Sequence, residues 1–360
     1  MSKTQIALIG CGKFAHGHMR SIQEQGDRTE VIAVVDIDET RAREFAATYN
    51  IPHSYGGPEA LFREQHPDLV IIVSPPGDHF HHCIEALEAG SHVLCEKPLA
   101  GSLAQLDQIE ATIQRTGSTC TGVLQWRYGS SGQHVKRLLD EGALGKPLVG
   151  ICQTTWYREP AYYEIPWRGK WATELGGVAM TLGIHAMDFF MWLMGDWDTI
   201  SATVGTLDRD IEVENVALAH VHFSNGAMAS LINSAVSPHQ ESYIRIDCQQ
   251  ATVELRHLYS YRDESWTFTL PPTELRTKAL KQWETMPEEK PATIGTQLAS
   301  LLDALDRSEA PWPRVDDVRS TIEFLTSLYK SAFTGQPVKR GSILPGDPFY
   351  MSVNGKTELA

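Results

Sequence analysis

The sequence predicts two folded parts in one chain: an α/β domain on a parallel sheet, then an α+β domain on a mostly antiparallel sheet. Three observations carry that reading. Up to about residue 122, short apolar runs alternate with helical patterns. A glycine turn separates the first apolar run from the first helical pattern. Past residue 200, strand-like runs follow one another with no helix between them. At 360 residues the chain is too long for one ordinary core and suits two.

In the first part, candidate strands lie at 5–9, 31–36, 69–74, 92–95 and 119–124, and candidate helices at 15–25, 39–49, 58–65, 79–89 and 103–115. The apolar runs are short and scarcely alternate, as strands buried on both faces do. Strands alternating with helices read as right-handed crossovers on a parallel sheet. A helix near 132–141 and a strand at 148–156 lead to a glycine-punctuated aromatic loop, 157–177, and a helix at 184–194. Strands then follow at 200–207, 213–224, 227–235, 242–248, 251–255 and 266–270. Asn225-Gly226, between two of them, signals a hairpin. An amphipathic helix at 315–334 stops at Gly335 and Pro337. The resulting domains are 1–122 and 123–340, with a tail at 341–360.

Composition narrows the function. Hydrophobic residues make up 42% and charged residues 21%, values of a soluble globular chain. Lys+Arg 31 against Asp+Glu 45 leave a net charge of −14, which repels phosphate backbones, and no basic patch offsets it. No membrane partner is expected either, since no apolar run approaches the ~20 residues that span a bilayer. The N-terminus lacks a signal-peptide layout, because residues 6–9 run straight into the glycine turn. Six cysteines without a Cys-x-x-Cys pair predict reduced thiols and a cytoplasmic setting. His79, His81 and His82 cluster, but no Cys or carboxylate stands at ligand spacing, so no metal is expected.

The glycine turn is Gly10-Cys11-Gly12-Lys13-Phe14-Ala15. Its first glycine permits the tight turn, its second admits a pyrophosphate to the backbone, and Ala15 keeps helix and strand close. Lys13 and Phe14 complete the turn and are assigned to the cofactor with it. The helix start offers unpaired N–H groups to the phosphates. Residues 31–35 form a second apolar run ending in Asp36, whose carboxylate suits the ribose hydroxyls of the adenosine. Its charge repels a 2′-phosphate, so NAD is expected over NADP. Arg41 and Arg43 stand close enough to keep NADP possible, and as helix-surface residues they are expected to face solvent.

Asp68-Leu69-Val70-Ile71-Ile72-Val73-Ser74-Pro75-Pro76, then His79, then Ala89-Gly90-Ser91-His92-Val93-Leu94-Cys95-Glu96-Lys97-Pro98-Leu99-Ala100, resembles the Gfo/Idh/MocA family of oxidoreductases. That family includes glucose–fructose oxidoreductase and inositol dehydrogenases. The likeness runs from Gly10 to Leu328-Tyr329-Lys330-Ser331-Ala332, and Glu96-Lys97-Pro98 is its most specific element. It implies a Rossmann domain joined to a domain with a large open-faced sheet, and a homodimer or homotetramer packed through that second domain. It also implies a cofactor site that includes Ser74, Pro75, His79, Glu96 and Lys97. In the family the lysine sits beside the nicotinamide and the substrate hydroxyl. The histidine of Gly183-Ile184-His185-Ala186-Met187-Asp188 matches the family's acid/base. The family often carries an aspartate four residues before that histidine, where this chain has Thr181.

Oxidising a secondary alcohol needs a hydride acceptor, a base for the hydroxyl proton and a cation for the developing alkoxide. Histidine, with a pKa of about 6.5 when unperturbed, suits the base role. A lysine beside the oxygen supplies the charge. Lys97 and His185 are therefore the candidate catalytic pair. Asp188 lies one turn beyond His185, where it replaces the missing carboxylate, binds substrate, or serves a cap or salt bridge. Trp156, Tyr157, Tyr162, Tyr163, Trp167 and Trp171 crowd one loop with Arg158, Arg168 and Lys170. Such rings pack against a pyranose face while arginines bind its oxygens, or the loop packs on itself. Arg168 is the preferred single contact. Arg127, beside Trp126, reaches for the same substrate, and Thr181, His185 and Asp188 are grouped with it. The activity expected is an NAD(P)-dependent oxidoreductase acting on a sugar, sugar derivative or cyclic polyol. A sugar-processing enzyme that recycles tightly held NAD and a non-catalytic NAD-binding sensor are the competing readings.

Overall fold

Six short runs build the first sheet: β1 (Thr4–Ile9), β2 (Thr29–Val35), β3 (His53–Tyr55), β4 (Leu69–Ile72), β5 (His92–Cys95) and β6 (Cys120–Gly122). They pair in the order β3-β2-β1-β4-β5-β6, every pair parallel. Leu69, Val70, Ile71 and Ile72 are all fully buried, as strands covered on both faces must be. β3 escaped the sequence reading because His53-Ser54-Tyr55 is an edge strand with no apolar run. Helices Ala15–Gln23, Glu39–Tyr49, Pro58–Glu64, His79–Glu88 and Leu103–Thr116 make the crossovers. Asp38 caps the second by accepting the N–H groups of Thr40 and Arg41. The strand order reverses between β1 and β4, and an open α/β sheet takes its ligand at the carboxyl ends flanking such a switch.

The computed structural model describes residues 3–271, 281 and 283–356. It divides into two units, Met1–Val123 with Gln297–Ile322, and Leu124–Thr296 with Glu323–Ala360. Residues 297–322, assigned from sequence to the second domain, thus belong to the first. The Gln297 side-chain amide donates to the Gly122 carbonyl at 2.9 Å, and the Thr121 hydroxyl donates to that of Pro313 at 2.8 Å. Arg28 pairs with Asp303 and Asp306 at 2.7 and 2.9 Å. A further helix, Ile294–Asp306, has no counterpart in the sequence reading. The segment read as a tail is also packed: Ile343 and Val353 are buried, and Lys330 pairs with Asp347.

Among the described residues the second unit holds eight strands: β7 (Pro147–Thr155), β8 (Trp197–Gly205), β9 (Val216–Phe223), β10 (Met228–Ser234), β11 (Glu241–Cys248), β12 (Thr252–His257), β13 (Trp266–Thr269) and β14 (Val338–Lys339). Their order is β13-β12-β11-β7-β10-β9-β8-β14, and only β7 and β10 run parallel. Asn225-Gly226 turns β9 into β10 as expected, with Gly226 at φ +87°. Burial alternates along β9 and β11, so one sheet face is covered. The other face carries exposed Val149, Leu218, Met228 and Ile232, with Met228 paired to Val149 and Ile232 to Leu218.

One expectation needs correction. Trp171–Met194 is a helical stretch of 24 residues with mean hydropathy 1.3, long and apolar enough to cross a membrane. The aromatic loop's short turns hid its length in the sequence. Of its most apolar window 89% is buried within the protein, the condition of a core helix.

Candidate functional site

The residues assigned to the cofactor fall along the carboxyl ends of β1, β2, β4 and β5. Gly10 has φ +99°, and a Cβ there would stand 2.7 Å from the backbone of Val73 and Ser74. Only glycine lets the β1 exit lie against the β4 exit. At Gly12 a Cβ would meet nothing within 4 Å, so the approach to this backbone is open. Ala15 is fully buried and its N–H donates to the Gly12 carbonyl at 3.0 Å. The helix that follows has no side-chain cap and no acidic residue in its first turn, which leaves its N–H groups and positive end for an anion. Lys13 is exposed, and Phe14 is 64% exposed. This open glycine turn against an uncapped helix start fits the pyrophosphate of a dinucleotide.

Asp36 is buried at the end of β2. Its carboxylate accepts the N–H groups of Cys11 and Asp38, both at 2.9 Å, and the Arg41 guanidinium at 3.1 Å. Arg41 is therefore not simply solvated, as the sequence suggested: it reaches back one helical turn to neutralise Asp36. Arg43 remains on the surface with Glu39. Burial, aided by Asp36, pushes the Cys11 thiol up to about 12.

Glu96 and Lys97 leave β5 with the Lys97–Pro98 peptide cis. One Glu96 oxygen bonds His18 Nε2 at 2.8 Å and the other accepts the Lys97 N–H at 3.2 Å. His79 is buried rather than lining an open surface. Its Nδ1 lies 2.7 Å from the Pro98 carbonyl oxygen and its Nε2 2.8 Å from that of Ser74. Burial holds its pKa below the ordinary value, although both carbonyls pull it up. His79 so ties the Glu-Lys-Pro turn to the end of β4, just before Pro75. His82 is half-buried against the Ser74 hydroxyl at 3.0 Å, and burial lowers it to about 4.

In the second unit a π-helical turn, Ala179–Gly183, runs into the helix Ile184–Met194. Thr181 lies buried in that turn, its hydroxyl donating to the Gly177 carbonyl at 2.8 Å. Gly183 is pressed onto β10, where a Cβ would come within 2.1 Å of Asn233 Oδ1. His185 follows, its ring 5.8 Å from that of Trp126 and 6.2 Å from that of Trp156, tilted by 25° and 32°. Both indoles are anchored: Trp126 donates to the Tyr259 carbonyl at 3.1 Å and Trp156 to the Ser242 hydroxyl at 2.9 Å.

Asp188 and Arg127 are brought together. Two bonds of 2.9 and 2.7 Å join them, with both side chains almost wholly buried. Of the roles open to Asp188, the structure displays the salt bridge. Arg168 lies between Tyr162 and Trp167, 3.8 and 4.1 Å from their ring centroids, and pairs with Glu174 at 3.1 Å. Tyr162 meets Tyr163 within the loop at 5.0 Å, whereas Trp171 packs on Tyr329 of the helix Val315–Thr334 at 5.3 Å.

Two family models match, one described as an oxidoreductase family with an NAD-binding Rossmann fold over residues 4–123, the other as a GFO/IDH/MocA C-terminal domain over residues 133–254. The chain belongs to the Gfo/Idh/MocA family. It is similar to a D-apiose dehydrogenase of Paraburkholderia graminis, 25% identical over 97% of this chain and 92% of that one. It is also similar to an inositol 2-dehydrogenase of Ralstonia nicotianae, 31% identical over 56% and 57% of the two chains. Among solved structures, the WlbA dehydrogenase of Chromobacterium violaceum, in complex with NADH and UDP-GlcNAcA, superposes with a TM-score of 0.84 at 24% identity. That match covers 95% of this chain and 97% of the other. As a Gfo/Idh/MocA protein the chain is an NAD(P)-dependent oxidoreductase with an NAD-binding Rossmann fold.

Three groups of this Gfo/Idh/MocA site were missed from sequence. His18 is joined to Glu96 across 78 positions, which no local spacing signals. Glu214 accepts the N–H groups of Gly177 and Ala179 at 2.9 and 3.0 Å and the Tyr329 hydroxyl at 2.9 Å, capping the turn that carries Thr181. Burial raises it to about 7. The indoles of Trp126 and Trp156 were noted for substrate, not for His185.

Proposed function

We propose that the protein oxidises a secondary alcohol of a sugar, sugar derivative or cyclic polyol, or reduces the matching ketone. The observation that carries this is that the chain holds both groups an alcohol dehydrogenation needs: Lys97, in the turn at the carboxyl edge of the first unit's sheet, and His185, beside two indoles in the second unit. The dehydrogenases of apiose and inositol among its relatives support the substrate class. NAD, when bound, supplies the hydride acceptor. Gly10, Gly12 and the helix start at Ala15 would hold its pyrophosphate, and Asp36 its adenosine ribose. The Lys97 ammonium stabilises the developing alkoxide. His185 takes the hydroxyl proton in oxidation and returns it in reduction.

The reading extends to assembly and setting. A homodimer or homotetramer formed through the uncovered sheet face would bury Val149, Leu218, Met228 and Ile232. Six unpaired thiols, five of them buried, suit a cytoplasmic protein, and a net charge of −14 suits a small-molecule partner in place of a nucleic acid or a membrane.

The test is NADH formation over a panel of polyols, aldoses and their acids, with His185→Ala alongside. The variant is expected to lose about 10²–10⁴ in kcat while still binding NADH. Undiminished turnover by that variant removes His185 from the reaction.

A further inference from the structure

Three arginines stand together around the aromatic loop, and each shares one feature. The Nε–H groups of Arg158, Arg168 and Arg209 are buried without a hydrogen-bond partner, and no other arginine Nε among the described residues is so placed. A buried donor left unpaired carries the full desolvation cost of that group, so three in one place call for an acceptor. Arg158 and Arg168 lie on the same ring, 5.2 and 3.8 Å from the centroid of Tyr162. Arg209 donates to the Arg158 carbonyl at 2.8 Å and lies 5.6 Å from the centroid of Tyr157.

Two of these charges are answered. Arg168 has Glu174 at 3.1 Å, and Arg209 has Asp208, whose side chain is 73% exposed. Arg158 pairs with no carboxylate among the described residues: its guanidinium donates to the neighbouring Tyr157 carbonyl at 3.0 Å and bonds the Tyr162 hydroxyl, both neutral partners. An unanswered, half-buried guanidinium is notable in a chain of net charge −14. Its position is equally specific. The Arg158 guanidinium stands 5.8 Å from the centroid of Trp156, and that indole lies 6.2 Å from the His185 ring. One ring separates the cation from the imidazole.

We infer that Arg158, with the Nε–H groups of Arg168 and Arg209, receives an anionic group of the substrate, a carboxylate or a phosphate, so that the enzyme acts on an acidic sugar or polyol derivative. This rests on the oxidoreductase reading above. Guanidinium planes stacked on rings are pre-oriented and present forked donors that match both anions. Binding energy gained at that remote group holds the reacting hydroxyl at His185.

The experiment is calorimetric titration of the full-length protein, saturated with NAD, with D-glucuronate, D-glucose 6-phosphate, D-glucuronamide and D-glucose. One of the two anions is expected to bind about a hundredfold more tightly than the amide and the sugar, and which one does so separates carboxylate from phosphate. Arg158→Leu is expected to abolish that preference, and Arg158→Lys to keep part of it. If Arg158→Leu does not fold, Arg158→Gln and the salt dependence of wild-type binding replace it: added salt should weaken the anion and spare the amide. Equal binding of all four ligands, or a preference that survives Arg158→Leu, overturns the inference. Turnover of neutral alcohols with no anion preference sinks this inference and leaves the oxidoreductase reading standing. An anion preference with no NADH formed from any alcohol does the reverse.

Discussion

Asp188→Asn tests how the second unit holds its imidazole. Asp188 and Arg127 are buried together, joined by bonds of 2.7 and 2.9 Å. The substitution keeps the volume and removes the charge, so the guanidinium stays buried and uncompensated. Breaking a buried pair on one side costs about 3–5 kcal/mol. In a unit of roughly 200 residues each kcal/mol moves Tm by about 2–4 °C, so its transition should fall by about 6–20 °C. Activity should fall with it. Asp188 is one turn from His185, and Arg127 adjoins Trp126, whose indole lies 5.8 Å from the imidazole. Differential scanning calorimetry reads the first effect, and kcat at a temperature where both proteins are folded reads the second. Arg127→Met with Asp188→Leu, which removes both charges, should recover most of the lost Tm but not the lost kcat. A Tm within about 2 °C of wild type for Asp188→Asn, or a double variant no better than the single, would refute the argument.

Two further outcomes follow from the cofactor end and the helix cap. Arg41 is 51% exposed and neutralises Asp36 at 3.1 Å, so Arg41→Ala should lower kcat/KM with NADP about tenfold more than with NAD; equal losses would show that Arg41 does not offset the carboxylate. Glu214 carries a folded-state pKa raised to about 7, so the native state holds a proton that the unfolded chain has already released, and stability present below about pH 4.5 is lost as pH rises through 7. The loss is about 3 kcal/mol at most, and Glu214→Gln should flatten the slope of Tm against pH over that range; an unchanged slope would assign it to other groups.

What could be read from the sequence was what the chain fixes locally. The turn at Gly10 demands a residue without Cβ, because the backbone of Val73 and Ser74 stands 2.7 Å from where that atom would be, and a glycine there is visible in any strand–turn–helix pattern. The second sheet was legible for a similar reason: strands covered on one face alternate, and Asn225-Gly226 marks where they reverse. What failed were elements whose existence depends on distant neighbours. β3 is a strand only because β2 lies beside it, and residues 297–322 join the first unit through bonds to Gly122 and Thr121, about 175 and 192 positions away.

The candidate site divides along the same line. Residues identified by spacing, from Gly10 to Lys97, do line one edge of one sheet; Arg41 on Asp36 is a local pair, but His18 on Glu96 and His79 on Pro98 are not. The same holds around His185. Reading Thr181 as a missing carboxylate assumed that an imidazole needs an anion to orient it. Here the Thr181 hydroxyl is committed to the Gly177 carbonyl, and two indoles lie beside the ring at 5.8 and 6.2 Å. Those indoles are 30 residues apart in sequence, one in a short helical turn and the other just past the end of β7, so no window on the chain could pair them. Beside Trp156 stands Arg158, the only member of the arginine cluster without a carboxylate among the described residues. In a protein this acidic, a carboxylate to neutralise it was abundantly available from the chain itself. Leaving that cation unanswered one ring from the imidazole is most economically explained by an anion that arrives with the substrate.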